Sequence, residues 1–214
     1  MTSARHTDDV IRTLAAQAGA PQSVPSYDAA LLVGFALSFV SAIALALLLF
    51  GLRRAGLEAV LTSGPFYFKA ASMLSVALAG ILLARFAGRP GSSTLAFAAL
   101  APGAALLLLG AATDVSGLPL RGASAISVPS CVVSIVGLSL PGVAIMLGAM
   151  RRGIPTRPAF AGAAAGLLAG ALGGAAYAIV CKNDGALFVA VWYTTAIIVV
   201  AGLGALIGRK ALAW

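Results

Sequence analysis

Long runs of apolar residues alternate with short polar connections along most of this chain. Six runs are each close to the roughly 20 residues that an α-helix needs to cross the hydrocarbon core of a bilayer. None of these runs carries a charged residue near its centre. The pattern predicts an all-α integral membrane protein, a bundle of six transmembrane helices at about 29–52, 66–87, 94–113, 131–150, 158–180 and 186–208.

The composition excludes a soluble globular domain. Hydrophobic residues make up 61% of the 214 residues and charged residues only 9%, whereas soluble domains are about half apolar and about a quarter charged. The net charge of +8 resides mainly in the connections between apolar runs. Such charges set topology and contact anionic lipid headgroups, so we do not expect direct binding to nucleic acid.

The N-terminal segment, residues 1–28, is the only extended polar stretch. Thr7 followed by Asp8 and Asp9 is typical of a helix N-cap with acidic residues in the first turn. An amphipathic helix over about Asp8–Ala18 would place three apolar residues on one face: Val10, Ile11 and Leu14. A disordered leader and a helix that folds on a partner are both compatible with this segment.

The distribution of basic residues predicts the orientation of the helices. With six spans and a cytoplasmic N-terminus, nine basic residues fall inside: Arg5, Arg12, Arg85, Arg89, Arg151, Arg152, Arg157, Arg209 and Lys210. Five fall outside: Arg53, Arg54, Lys69, Arg121 and Lys182. We therefore expect both termini in the cytoplasm, with residues 1–28 as a tail and 29–214 as the membrane domain.

Two cysteines mark the ends of one predicted hairpin. Cys131 begins the fourth predicted helix and Cys181 ends the fifth, so both thiols lie at its outer, water-facing end and at similar depth. An oxidising periplasm permits a disulfide there, and thiolates bind soft metal ions. The pair is therefore a candidate redox or metal sensor, although two buried apolar side chains or a purely structural bridge would give the same pattern.

Small residues form a strip along the fifth predicted helix, where glycine recurs every four residues: Gly162, Gly166, Gly170 and Gly174. Such a strip allows another helix backbone to approach closely. The strip either packs statically against a neighbouring helix or provides a smooth surface along which helices can slide or rotate. Gly204 and Gly208 repeat the spacing in the sixth predicted helix.

The connection between the fourth and fifth predicted helices, which carry the two cysteines, is basic. It contains Arg151, Arg152 and Arg157 within seven positions. It is either an anchor to lipid phosphates or a contact for an acidic partner, which could be Asp8 and Asp9 of the tail.

Little in the chain suits catalysis, because His6 is its single histidine and two cysteines alone do not complete a zinc site. We expect a protein that is not an enzyme. Two other classes remain open. A small transporter is disfavoured by the lack of charge near the centre of any apolar run, and a membrane thiol oxidoreductase is disfavoured by the separation of Cys131 and Cys181 in sequence.

Several stretches together resemble the NrsF (negative regulator of sigma F) family of membrane anti-sigma factors. They are Thr7-Asp8-Asp9-Val10-Ile11, Cys131, the connection Arg151 to Pro158, Ala176 to Cys181, Phe188 to Tyr193, and Gly208 to Trp214. The resemblance covers the whole chain and is densest from residue 131 onward. Val180 stands where the family would lead us to expect a histidine before the second cysteine, which disfavours a His–Cys ligand set.

The resemblance implies a bacterial inner-membrane protein with a short cytoplasmic N-terminal tail that holds an extracytoplasmic-function sigma factor inactive at the membrane. From the residue pattern of the tail we hypothesise that the tail is the part that binds the sigma factor. On that view Asp8, Asp9, Val10, Ile11 and Leu14 bind the sigma factor. The two cysteines perceive heavy metals or oxidants, with no permanent cofactor and at most a transient heavy-metal ion at Cys131 and Cys181.

Overall fold

The computed structural model describes residues 2–18, 26–51, 56–89, 95–122, 124 and 126–213. Within these ranges every regular element is an α-helix. The helices are α1 Thr2–Ala18, α2 Tyr27–Phe50, α3 Leu57–Leu61, α4 Gly64–Ala87, α5 Leu95–Ala98, α6 Ala101–Ala112, α7 Ser127–Met150, α8 Pro158–Val180 and α9 Ala186–Ala211.

Five of these helices are long and apolar enough to cross a membrane: α2, α4, α7, α8 and α9. They lie where five of the six spans were predicted. Many of their large apolar side chains point away from the protein, among them Leu32, Leu48 and Leu78. A soluble protein rarely exposes so much contiguous apolar surface, so the outer face of the bundle suits lipid.

The predicted third span, 94–113, is not one helix. It consists of α5, a turn at Ala99 and Leu100, and the twelve-residue α6. Pro102 lies in the first turn of α6 and lacks the backbone N–H that would continue a helix from α5. The two short helices still connect opposite ends of the bundle, since Phe97 of α5 packs on Phe160 at the start of α8 and Asp114 after α6 binds the start of α9.

The tail helix α1 begins at Thr2, so the prediction of an N-cap at Thr7 with acidic first-turn residues is wrong. Residues 2–6 contain no proline or glycine that would delay the helix. Val10, Ile11 and Leu14 are exposed in α1, as are Asp8 and Asp9.

The centre of the bundle is α8, which packs against α2, α4, α7 and α9. Most of its residues are buried and the rest are half-buried, which its small side chains make possible. The strip glycines place the α8 and α9 backbones in direct contact: a Cβ on Gly166 would lie 2.8 Å from Ala201 Cα, and a Cβ on Gly208 would lie 2.6 Å from Gly162 Cα. Gly170 faces Ile197 of α9, whereas Gly174 faces Met73 of α4.

The bundle has two ends that carry different chemistry. The cysteine end contains the start of α4, α7 and α9 and the end of α8, where Lys69 contacts the segment Cys181–Gly185. The tail end contains the start of α2 and the ends of α4, α7 and α9. Tyr27 at the start of α2 and Ala211 at the end of α9 both belong to the tail end, so the first long helix begins and the last long helix ends on the same side.

Candidate functional site

Cys131 and Cys181 lie together at the cysteine end, as the hairpin geometry predicted. Cys131 lies in the second turn of α7, and Cys181 caps the end of α8 with its backbone N–H donating to Tyr177 O at 2.9 Å. Both cysteines belong to the buried core at this end, where the Lys69 ammonium contacts the Cys181 carbonyl. They are not joined by a disulfide.

The expectation that these thiols face water is wrong. Cys131 is 0% exposed and Cys181 is 2% exposed. The Cys181 thiol donates to Asn183 O at 3.8 Å, in the segment that follows α8. Any reagent that reaches the sulfurs must therefore open the packing around them.

Lys69 of α4 is the residue of this site that sequence reasoning missed. Its side chain is 1% exposed, and its ammonium binds Asp184 Oδ1 at 2.8 Å and donates to Cys181 O at 3.5 Å. A fully buried lysine is rare unless it is paired. The one signal in the sequence is a lysine placed inside the apolar run 66–87, where the orientation argument treats it only as a topology charge.

Two hydroxyl groups add further polarity beneath the thiols. Ser72 of α4 and Tyr193 of α9 are both buried, and neither hydroxyl makes a hydrogen bond within the described residues. Burying a polar group without a hydrogen-bond partner costs free energy, so these two hydroxyl groups lower the stability of this end of the bundle.

The chemistry available to this site rests on its two sulfurs. Within the described ranges no group of three or more His, Cys, Asp or Glu side chains could hold a metal ion. Burial makes thiols less reactive, whereas a neighbouring ammonium favours the reactive thiolate, and this pair does not offer the closed four-ligand set of structural zinc.

The tail end holds a second cluster. Asp28, in the first turn of α2, forms ion pairs with Arg85 at 3.0 Å and Arg89 at 2.6 Å. Tyr27 donates its hydroxyl to Ala84 O at 2.6 Å. Tyr27 and Asp28, the last residues of the predicted tail, therefore belong to α2 and are held against the end of α4. No sequence pattern links positions so far apart.

The basic connection between α7 and α8 belongs to the same end. Arg151, Arg152 and Arg157 are exposed, and Arg151 Nε donates to Ala211 O at 3.0 Å. Arg151 therefore caps the end of α9, where a positive charge is favourable. Arg53, Arg54 and Trp214, which the topology and resemblance arguments used, lie outside the described residues.

Comparison with known proteins identifies the family. The family described as "NrsF: Negative regulator of sigma F" matches residues 14–214. A probable anti-sigma-F factor NrsF of Azospira oryzae is 32% identical over 216 residues, which cover 97% of this chain and 99% of the relative. The anti-sigma-F factor NrsF of Caulobacter vibrioides is 34% identical over 218 residues, with the same coverage of each chain. No solved structure matches. With this extent of similarity, the chain belongs to the NrsF family, which is a family of regulators and not of enzymes.

Proposed function

We propose that this protein is an inner-membrane anti-sigma factor that sequesters an extracytoplasmic-function sigma factor through residues 1–28. It releases the sigma factor when Cys131 and Cys181 react with a heavy metal or an oxidant. The observation that carries the proposal is the similarity to two anti-sigma-F factors over 97% of the chain.

The tail supplies the output. Val10, Ile11 and Leu14 are exposed apolar residues on one face of α1, with Asp8 and Asp9 beside them. An amphipathic helix of this kind binds in an apolar groove of a partner, and the acidic pair would favour a basic rim. The family match begins at residue 14, so the assignment of Asp8 to Ile11 rests on the exposed face and not on that match.

The cysteine pair supplies the input. Both thiols lie in the hairpin α7–α8, whose other end is the basic connection at the tail end. Binding of a soft metal ion between the sulfurs, or their oxidation to a disulfide, changes the distance between the start of α7 and the end of α8. Because both helices are continuous over more than 20 residues, such a change moves the connection at the far end.

The charge distribution supports an orientation with the tail end in the cytoplasm. The exposed arginines of the α7–α8 connection, Arg209 and Lys210 all belong to the end where α2 begins and α9 ends. Basic residues prefer the cytoplasmic side of the inner membrane. The thiols would then lie on the periplasmic side, where metals and oxidants arrive first.

The test is capture of purified extracytoplasmic-function sigma factors by the full-length protein in nanodiscs and by a peptide of residues 1–28. Changing Val10, Ile11 and Leu14 together to Ala should abolish capture by both. Arg12→Gln, on the opposite face of α1, is the matched control and should bind as the unmodified protein does. If no candidate sigma factor binds either form, or if the alanine variant binds normally, the tail is not the output.

A further inference from the structure

One aromatic side chain connects three segments at the tail end. Tyr27, the first residue of α2, donates its hydroxyl to Ala84 O of α4. A Cβ added at Gly88 would overlap the Tyr27 ring, and one added at Gly153 would lie 2.8 Å from Tyr27 Cε2. The ring is therefore packed between the end of α4 and the α7–α8 connection, and glycine is needed on both sides.

The two surrounding segments also bind each other. Ile154 N–H, in the α7–α8 connection, donates to Gly88 O at 3.1 Å. A Cβ on Gly153 would lie 2.9 Å from the same Gly88 oxygen. Movement of this connection therefore displaces the packing around Tyr27 directly, without a further intermediary.

Asp28 adds a second attachment beside the ring. Its carboxylate binds Arg85 and Arg89, one turn apart on α4. All three side chains are between one third and one half exposed. Partly exposed ion pairs are weak, so this attachment favours one position of the start of α2 against α4 and still allows it to move.

The helix that follows the tail also rests on α7. A Cβ on Gly34 would lie 3.1 Å from Met146 Sδ and 3.3 Å from Ala149 Cβ, and Ser38 donates to Gly142 O at 3.4 Å. Thus α2 lies along the second half of the helix that carries Cys131 in its second turn. The start of α2 is held both by α7 and by the connection that follows α7.

We infer that Tyr27 and Asp28 are positioning residues that fix the base of the tail to the α7–α8 connection and transmit movement of that hairpin to residues 1–26. We name Tyr27, Asp28, Arg85, Gly88, Arg89 and Gly153 the tail joint. The inference rests on the proposed function, because it supplies the physical link between the cysteine pair and the tail. An uncoupled tail should bind the sigma factor as the free peptide does, whatever the state of the thiols.

The experiment compares full-length variants in cells that carry a sigma-dependent reporter, with and without cadmium as the probe. Asp28→Arg, and separately Gly153→Ala, should keep the reporter silent without cadmium and reduce its induction by about fivefold or more, the lower bound of coupling between linked sites. Gly148→Ala on α7, where a Cβ meets nothing within 4 Å, is the matched control and should respond normally.

Three further measurements separate positioning from a general defect. Membrane levels of each variant should match the unmodified protein by immunoblot, and cadmium should protect the thiols of Asp28→Arg from alkylation as it does in the unmodified protein. Capture of the sigma factor by a 1–28 peptide carrying Asp28→Arg should be unchanged. A triple variant should restore induction, because it exchanges the charges of both ion pairs. It combines Asp28→Arg with Arg85→Asp and Arg89→Asp.

Specific outcomes overturn the inference. Normal induction in both Asp28→Arg and Gly153→Ala would show that the tail joint carries no signal. A reporter that is active without cadmium in Asp28→Arg would place Asp28 in sigma binding itself. Two results with the unmodified protein concern the proposed function and not the tail joint. If the protein captures a sigma factor but does not respond to cadmium, it does not sense that metal. If it captures no sigma factor, the proposed function is refuted.

Discussion

Lys69 of α4 and Asp184 of the α8–α9 connection form an ion pair of 2.8 Å in which only the lysine is buried. Its two halves are therefore not equivalent. Removing Asp184 leaves a charge buried inside the bundle, whereas removing Lys69 leaves a carboxylate that is 37% exposed.

Asp184→Asn should therefore destabilise the protein more than Lys69→Met. We expect roughly 2 to 3 kcal/mol for Asp184→Asn, less than the cost of breaking a wholly buried pair. Lys69→Met should be close to neutral, because it removes the buried charge and the carboxylate that it leaves behind is partly exposed to water. Thermal unfolding of the purified protein in detergent measures both, and an equal loss in the two variants would contradict the asymmetry.

Single replacement of either cysteine tests the input. Cys131→Ser and Cys181→Ser each leave one thiol, which cannot form the bridge or chelate an ion between two sulfurs. Both variants should retain the sigma factor and fail to release it when cadmium or an oxidant is added, as measured by the reporter. Ser130→Ala, next to Cys131 and exposed, is the control and should respond normally. Normal induction in both cysteine variants would exclude the pair as the sensor.

Burial of the thiols gives a further expectation for reagents. Because Cys131 and Cys181 are almost inaccessible and the segment Cys181–Gly185 is held by Lys69, alkylation by a water-soluble maleimide should be slow. In Asp184→Asn the segment loses one attachment, and labelling should accelerate several-fold. Equal labelling rates in the two proteins would show that this ion pair does not control access to the thiols.

The positions of the long helices could be predicted from the sequence because hydropathy is a local property. Five predicted runs correspond to α2, α4, α7, α8 and α9, and the cysteine pair followed from two helices of similar length in one hairpin. The third predicted run, 94–113, contains a turn at Ala99 and Leu100, just before Pro102. The residues of this turn are as apolar as their neighbours, so the hydropathy of the run does not distinguish one long helix from two short ones.

Contacts between distant positions were beyond such reasoning. Lys69 and Asp184 are separated by 115 positions, and Tyr27 and Ala84 by 57. A lysine near the end of an apolar run predicts either a topology charge or a buried partner, and only packing distinguishes the two. Similarly, the sequence carries no sign that Gly88 and Gly153 share a contact, because only the fold places Tyr27 between them.

The glycine strip provides a test of packing between α8 and α9. Gly166→Ala should destabilise the protein by about 1 to 3 kcal/mol, as overpacking does, because the new Cβ would lie 2.8 Å from Ala201 Cα and backbone cannot move aside. Gly202→Ala on α9 is the matched control, since a Cβ there meets nothing within 4 Å, and it should be neutral or slightly stabilising. Thermal unfolding compares them, and equal behaviour would show that the strip is not a close contact.

Asp114 links the end of α6 to the start of α9 and should make this contact sensitive to acid. Its carboxylate accepts hydrogen bonds from Leu187 N–H at 2.7 Å and from Ser116 N–H at 2.9 Å, and these bonds lower the pKa of Asp114 below its usual value. The ionised form is favoured in the folded state, so its contribution to stability is present above the pKa of an unfolded aspartate, about 3.9. That contribution is lost as pH falls through the lower folded pKa.

Asp114→Asn should therefore lower the unfolding temperature at pH 7. Below pH 3 the unfolding temperatures of the variant and the unmodified protein should be closer to each other. Ser116→Ala removes the hydroxyl, which also lowers the pKa of Asp114, and should therefore keep only part of the pH dependence. An Asp114→Asn protein whose unfolding temperature parallels the unmodified protein from pH 7 to pH 3 would show that this carboxylate does not stabilise the junction of α6 and α9.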